Sequence, residues 1–403
     1  MTISLQPSPT SEQLRSAVLE WSMDQARKHA RQADTEQRFP LIPEVVETCP
    51  LDVSQTGFGQ LRDEEFIDRA HTLRAGDVRH GGLESGTNVL AVFVAEAISQ
   101  GDSWAWQLLY GGEPAVDFVK FIGTAEQVER WCSANRVLSA IAMTEPQSGT
   151  DLAGIQCTAA RDGDQWVLNG EKVFISNALE ADWLVLLATV DPGAGSRGVR
   201  AFILDKEDMA KVTVTVPKED KVGFRHLRNA SFEMRDLRVP SDRCVGGEDV
   251  SGLSGAMQLF SKNRATCAVW GPSIAKGCIG YTRAWMAEHR DEFTAERWKR
   301  INSDFEEMNE VLDDVVRLAL RAGWQMDTGE ASTESVSHAK AVGPKYAESV
   351  VLRCLNVMGH EGGSHRHLME KWVRDVKMTD AALGPSQVQR RTAAHLLIGR
   401  NKP

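Results

Sequence analysis

No run of about 18 consecutive apolar residues, the minimum for a membrane-spanning helix, occurs anywhere in the chain. The opening residues MTISLQPSPTSEQL lack the basic stretch and apolar stretch of a secretory leader, so a cytoplasmic protein is expected. Basic charge is in deficit. Forty-six Lys and Arg stand against 56 Asp and Glu, a formal charge of −10, which is the wrong sign for a dedicated nucleic-acid or anionic-membrane binder. The seven cysteines, Cys49, Cys132, Cys157, Cys244, Cys267, Cys278 and Cys354, include no CxxC pair, so zinc and dithiol chemistry lack their spacing and reduced, buried thiols are expected. There is no P-loop, GxSxG elbow or HExxH motif. His360, His365 and His367 cluster in a Gly/Ser-rich stretch without ligand spacing and read as solvated loop residues, with no metal.

What is present is the composition of an ordinary globular protein, 42% hydrophobic and 25% charged, at a length of 403 residues that suits two or three domains. Three textures divide the chain. Helical spacing, as in Leu14, Val18, Trp21 and then Val89, Val92, Phe93, Ala97, predicts a helical domain over 1–140. Short β-rich runs over 141–242 (Trp166–Leu168, Val173–Ile175, Leu184–Leu187, Val199–Leu204, Val212–Val216), with Asn169-Gly170 and Pro192-Gly193 read as turns, predict an antiparallel sheet or small barrel. Helical spacing returns over 243–403, interrupted at Asp327–Thr333 and Gly359–Ser364, and predicts a bundle. The fold class is therefore mostly α with a central β-domain.

A doubly wound nucleotide fold would alternate strand and helix throughout, which this order does not. The GxGxxG match at Gly193, Gly195 and Gly198 leads into strand-like Val199–Leu204 and offers no helix N-terminus to a pyrophosphate, so it reads as a hairpin loop. The most specific segment is Ala142-Met-Thr-Glu-Pro-Gln-Ser-Gly-Thr-Asp-Leu-Ala-Gly154. Its small residues let main-chain amides and hydroxyls converge on an anion or a flat heterocycle. Asn169-Gly-Glu-Lys-Val-Phe-Ile-Ser-Asn177 follows, read as a turn and then a strand with Phe174 and Ser176 on one face.

Together these segments resemble the acyl-CoA dehydrogenase family of FAD enzymes, and the resemblance runs along nearly the whole chain. Ala142, Met143, Thr144, Glu145, Ser148, Gly149, Thr150, Asp151 and Gly154 match the family's first signature; Lys221–Arg225, Phe232 and Asp236–Pro240 look like its last β-strands. The fold implied is an N-terminal helical domain, a middle antiparallel β-domain and a C-terminal four-helix bundle, assembled as a homodimer or homotetramer. The resemblance implies that Met143 and Thr144 lie against the flavin, Thr150 contacts the pyrophosphate or the thioester carrier, Phe174 stacks where the family has Trp, and Ser176 replaces a Thr near the ring. It also implies that Arg290 and Phe293 reach a partner subunit's FAD, that Asn356, Gly359 and His360 belong to a loop over the pyrophosphate, and that Gln387 lies near the adenosine.

One departure bears on the reaction. Where the family reads Tyr-Glu-Gly-Thr-Ser-Gln, this chain reads Ala382-Leu-Gly-Pro-Ser-Gln387, so the proton acceptor has become Leu383; the alternative family position, before Arg264, holds the neutral amide of Asn263. Asp380 is the first substitute to consider and Glu361 a weaker one, each otherwise a solvated carboxylate. Arg264, among apolar residues, is expected to orient a substrate carbonyl or carboxylate. The leading reading is an FAD-dependent oxidoreductase acting on an acyl thioester carried by CoA or a carrier protein, with a non-standard proton acceptor and an electron-transferring flavoprotein as partner. A reduced-flavin, O₂-dependent monooxygenase of an aromatic or other small molecule, served by a flavin reductase, is the alternative, since Leu383 suits a dry pocket. Non-redox elimination or cyclisation on a thioester, or a silent homologue, is the third.

Overall fold

The computed structural model describes residues 9–37, 45, 48–50, 87–110, 113–132 and 138–400. Its N-terminal layer contains α1 (Pro9–Trp21), prolonged by a π-helical turn at Ser22–Ala26, and then α2 (Ala30–Glu36), α3 (Thr87–Gly101), α4 (Ser103–Tyr110), α5 (Glu113–Ile122) and α6 (Ala125–Cys132). The helical spacing read from Val18, Trp21, Val92, Phe93 and Ala97 corresponds to one shared core, in which each of these side chains is buried. Trp104 and Trp106 belong to that core, and the Trp104 indole donates to the Ala26 carbonyl at 2.8 Å.

The middle of the chain forms one curled seven-stranded sheet of β1 (Ser139–Ala142), β2 (Thr158–Asp162), β3 (Gln165–Ser176), β4 (Trp183–Thr189), β5 (Val199–Asp205), β6 (Thr213–Val216) and β7 (Asn229–Pro240). The order is β1-β4-β2-β3-β7-β6, with β5 also on β4. Pairing is mostly antiparallel, but β4 runs parallel to β1 and touches β2 in parallel at Thr158 and Thr189. Every residue of β4 is buried, because the sheet shares its core with Phe118 and Val119 of α5 and with Ala256 and Leu259.

Two local expectations are corrected. Asn169-Gly170 is not a turn: it lies inside the 12-residue β3, at a shift of register against β7. Gly170 has φ +130°, and a Cβ there would sit 2.4 Å from the Cys157 sulfur, so the Asn-Gly pair serves a bulge and close packing while the hairpin turns at Gly163 (φ +61°). Lys221–Arg225 is not strand but a loop laid on the C-terminal helices, where a Cβ on Gly223 would meet the Arg374 carbonyl at 2.3 Å. The Pro192–Gly198 segment is a 3₁₀ turn leading into β5, as the hairpin-loop reading requires.

The C-terminal bundle comprises α8 (Gly252–Glu288), α9 (Ala295–Asp327), α10 (Thr333–Met358), α11 (Met369–Ala381) and α12 (Ser386–Arg400), after the short α7 (Lys206–Met209). The breaks at 327–333 and 359–364 were legible; those at 289–294 and 382–385 were not. Helices α8 and α10 both contain proline, Pro272 and Pro344, and each proline follows a glycine. A Cβ on Gly343 would lie 3.0 Å from the Ala268 carbonyl, and one on Gly271 would lie 3.3 Å from Pro344. The two Gly-Pro pairs let the helix backbones approach one another closely.

Candidate functional site

The strand β1 delivers Met143 and Thr144 to the start of a loop whose shape is set from below. The buried Lys172 ammonium donates to the Met143 carbonyl at 3.1 Å and pairs with Glu145 at 2.7 Å. Glu145 in turn accepts the amides of Gln156 (2.7 Å) and Cys157 (3.1 Å), and the Thr144 carbonyl accepts the Val173 amide at 3.0 Å. Met143 is buried, Thr144 is half-buried, and Gly149 and Thr150 are exposed. Burial alone would push the Glu145 carboxyl up, but Lys172, the Gln156 amide and Cys157 hold it below the usual carboxylate range.

A depressed carboxyl stabilises the fold above its unfolded-state value, and that stability drains away as pH falls through the folded-state value. Lys172→Met, which strands the Glu145 charge, is expected to destabilise the protein by about 3–5 kcal/mol at neutral pH and to weaken flavin retention. Urea unfolding and flavin absorbance check this; a loss below about 1 kcal/mol contradicts the buried-pair account.

Along β3, simple alternation fails between Lys172 and Ile175, where the register against β7 shifts and both side chains are buried. Phe174 occupies the bulge with φ +58°, and the residue is 58% exposed. A phenylalanine in left-handed backbone, turned to solvent, costs stability and is a platform for a flat partner. The Asn229 amide holds this bulge, donating to the Phe174 carbonyl at 2.8 Å and the Ser176 hydroxyl at 3.2 Å. Ser231 adds a hydroxyl contact to the Phe174 amide at 3.3 Å.

The second cluster lies in the bundle. Leu383 (φ +52°) and Gly384 (φ +96°) form a left-handed pair between α11 and α12. Arg264 of α8 donates from Nε to the Leu383 carbonyl at 3.0 Å and stacks its guanidinium 4.9 Å from the Phe260 ring. Among the described residues the amides of Leu383 and Gly384 have no acceptor, and successive free amides in left-handed backbone make an anion-binding concavity. Arg264 thus acts on the turn, not as a free cation. Asn263 is half-buried, its carbonyl accepting from the Thr266 hydroxyl at 3.0 Å.

Asp380 accepts the Ser386 amide, the first of α12, at 2.9 Å and faces Lys345 at 3.3 Å. Partial burial would raise its carboxyl, but Ser386 and Lys345 together hold it below the ordinary range. Glu361 bonds His367 at 3.2 Å and Arg366 at 3.1 Å, which hold its carboxyl low as well. Asp380 has the environment of a helix cap. Asp380→Ala is expected to cost about 0.5–2 kcal/mol of stability, while Asp380→Asn, which keeps an acceptor, leaves flavin reduction within twofold. A hundredfold loss in Asp380→Asn would restore it as proton acceptor.

The remaining cofactor candidates stand apart. Arg290, Asn356, Gly359, His360 and Gln387 are all exposed on this chain. Arg290 donates to the Phe293 carbonyl at 2.7 Å and stacks on Trp298, whereas Phe293 itself is buried between Trp285 and Trp298. Of the histidines, His367 bonds Tyr281 at 2.9 Å, and the described residues contain no group of three or more His, Cys, Asp or Glu that could hold a metal. Sequence reasoning missed Lys172, Asn229, Lys340 and Gln389, none of which carries a local signal.

The exposed Phe174 ring, the hydroxyls of Thr144 and Ser176 and the open space above Gly149, where an added Cβ would meet nothing, fit a flat heterocycle with a polar edge. Helical layer, curled sheet and bundle around such a platform define a flavoprotein oxidoreductase. The descriptions "Acyl-CoA dehydrogenase, middle domain" and "Acyl-CoA dehydrogenase, C-terminal domain" match residues 140–237 and 251–398. Cyclohex-1-ene-1-carbonyl-CoA dehydrogenase of Geobacter metallireducens is 27% identical over 333 residues, covering 79% of this chain and 84% of that protein. Mitochondrial short-chain specific acyl-CoA dehydrogenase of Bos taurus is 30% identical over 282 residues, 68% of this chain and 67% of its own length. The solved complex of glutaryl-coenzyme A dehydrogenase with glutaryl-CoA superimposes with a TM-score of 0.82 at 21% identity, covering 98% of this chain and 97% of that one. The chain belongs to the acyl-CoA dehydrogenase family, and its cofactor is FAD.

Proposed function

We propose that this oxidoreductase takes an acyl thioester of CoA, holds its carbonyl on the amides of Leu383 and Gly384, and oxidises it slowly, the α-proton leaving to water because no carboxylate stands at position 383 or 263. The carrying observation is the left-handed Leu383–Gly384 turn, whose two amides have no acceptor among the described residues. FAD supplies a two-electron acceptor for hydride when bound. The chain's own contribution is to place and polarise the carbonyl, a term of a few kcal/mol in similar oxyanion holes.

The carrier is argued from α8. An open cavity of about 460 Å³ at its start is lined by Ser196, Arg197, Arg200, Ser254 and Met257, together with Asp249. Two arginines beside hydroxyls suit the phosphates of CoA. Arg264 stands ten residues beyond Ser254, about 15 Å further along the helix axis, a distance an extended pantetheine arm can cover. The exposed Arg290, Asn356, Gly359, His360 and Gln387 are surfaces that a second copy of the chain would cover, and an electron-transferring flavoprotein is the natural electron acceptor for this reaction. No helix among the described residues is long and apolar enough to cross a membrane.

The second reading is a flavin monooxygenase on the same scaffold. It is favoured by one feature, the apolar Leu383 where a charge would draw in water. Anaerobic mixing of the yellow protein with butyryl-CoA and octanoyl-CoA decides between them. Slow but complete bleaching of the flavin band supports the thioester reading. Absence of bleaching, together with hydroxylated product when the dithionite-reduced protein meets O₂ and indole, would replace it with the oxygenase.

A further inference from the structure

Lys340 of α10 is fully buried, and among the described residues no carboxylate bonds its ammonium. Its ammonium donates to the carbonyls of Thr379 (2.8 Å) and Asp380 (3.1 Å), two of the carbonyls that the end of α11 leaves unpaired. Three residues earlier on the same helix, the Ser337 hydroxyl donates to Gln389 at 3.1 Å, and Gln389, also fully buried, reaches the Gly384 carbonyl at 3.4 Å. With Arg264 on the Leu383 carbonyl, side chains from α8, α10 and α12 bind four carbonyls of the 379–384 turn.

In a trans peptide the carbonyl of one residue and the amide of the next point in opposite directions. Arg264 on the Leu383 carbonyl therefore turns the Gly384 amide away from α8. Cys267, whose sulfur lies 3.9 Å from the Ala382 carbonyl, marks the same side for that peptide, so the Leu383 amide also faces away. A leucine at φ +52° does not hold this shape unaided.

We infer that Lys340, with Gln389, is a positioning residue for the thioester carbonyl: by holding the Thr379 and Asp380 carbonyls it clamps the 379–384 turn so that the free amides of Leu383 and Gly384 are presented together. The inference rests on the thioester reading above. Burial draws the Lys340 ammonium below its ordinary value, while the Cys267 thiol and Asp380 act the other way. In a merely structural role Lys340→Met would leave the Thr379 and Asp380 carbonyls unpaired and cost stability, but would not change the polarisation of a bound carbonyl.

The test uses FAD-loaded, full-length protein and trans,trans-2,4-hexadienoyl-CoA, a conjugated thioester whose ultraviolet band moves to the red when its carbonyl accepts strong hydrogen bonds. In the unaltered protein the bound band is expected to shift to the red. In Lys340→Met that shift falls by half or more while FAD content is kept. Lys340→Gln, which retains a donor without charge, gives an intermediate shift and serves if Lys340→Met does not hold flavin. Gln389→Leu reduces the shift as well. An undiminished shift in both Lys340 variants overturns the inference. Failure of the unaltered protein to bind the probe removes the thioester reading and this inference with it, a result distinct from binding with a shift indifferent to Lys340.

Discussion

Leu383→Glu is expected to raise the rate of anaerobic flavin bleaching by an acyl-CoA by about 10²–10⁴-fold, the usual worth of a positioned general base. The turn that would present the new carboxylate already exists: Leu383 is left-handed, Arg264 holds its carbonyl at 3.0 Å, and Gln389 reaches the next one. What the natural side chain lacks is any capacity to take the α-proton, and the nearby Asp380 is committed to the Ser386 amide and Lys345. The same substitution would set a charge in an apolar site and harm an oxygenase, so the sign of the effect separates the two readings. Stopped-flow absorbance at the flavin band measures it. A rate unchanged or lowered in Leu383→Glu, with acyl-CoA still bound, would mean that protons leave by another route.

The largest stability effect is expected at Lys371. Its ammonium, fully buried, binds Asp102 of the helical layer at 2.6 and 2.8 Å and Asp375 at 2.6 Å. The Trp372 indole adds a donor to Asp102 at 2.9 Å, and Asp375 accepts the Phe224 amide from the β-domain loop at 2.7 Å. One cation therefore joins three parts of the chain. Burial alone would lower the Lys371 ammonium, but the two carboxylates override it and push it up. Lys371→Met would leave two buried carboxylates facing each other and is expected to cost at least about 3–5 kcal/mol. Chemical unfolding is the measurement, with Lys371→Met/Asp375→Leu recovering part of the loss. A loss under about 1 kcal/mol would show that the domains are held by apolar contact alone.

Sequence patterning made the three-part architecture legible because each part has its own hydrophobic period, and the ends of α9 and α10 because glycine and short polar stretches follow them. The loop from Ala142 to Gly154 was legible through its small polar residues. Asn169-Gly170 reads as a turn because the pair is the strongest local signal for one, and only the approach of Cys157, the residue before β2, shows that it serves a bulge. Lys172, Lys340 and Lys371 could not be found from the sequence. Lysine is normally exposed, and the acceptors Glu145, Thr379 and Asp102 lie 27, 39 and 269 residues away, although Lys371 also has Asp375 four residues along its own helix. Asp380 reads from the sequence as a substitute proton acceptor or a solvated carboxylate, because its role as a cap depends on where the following helix begins, at Ser386.

The central claim, a thioester carbonyl held by the 383–384 amides without a base beside them, is tested most directly by anaerobic titration of the FAD-loaded protein with acetoacetyl-CoA. This thioester enolises in water and cannot be dehydrogenated, so its bound enolate reports the oxyanion site independently of any proton acceptor. The account predicts a saturable long-wavelength absorbance of enolate beside oxidised flavin, growing with pH as more enolate is present in solution. A flavin spectrum indifferent to acetoacetyl-CoA from neutral to alkaline pH would contradict it.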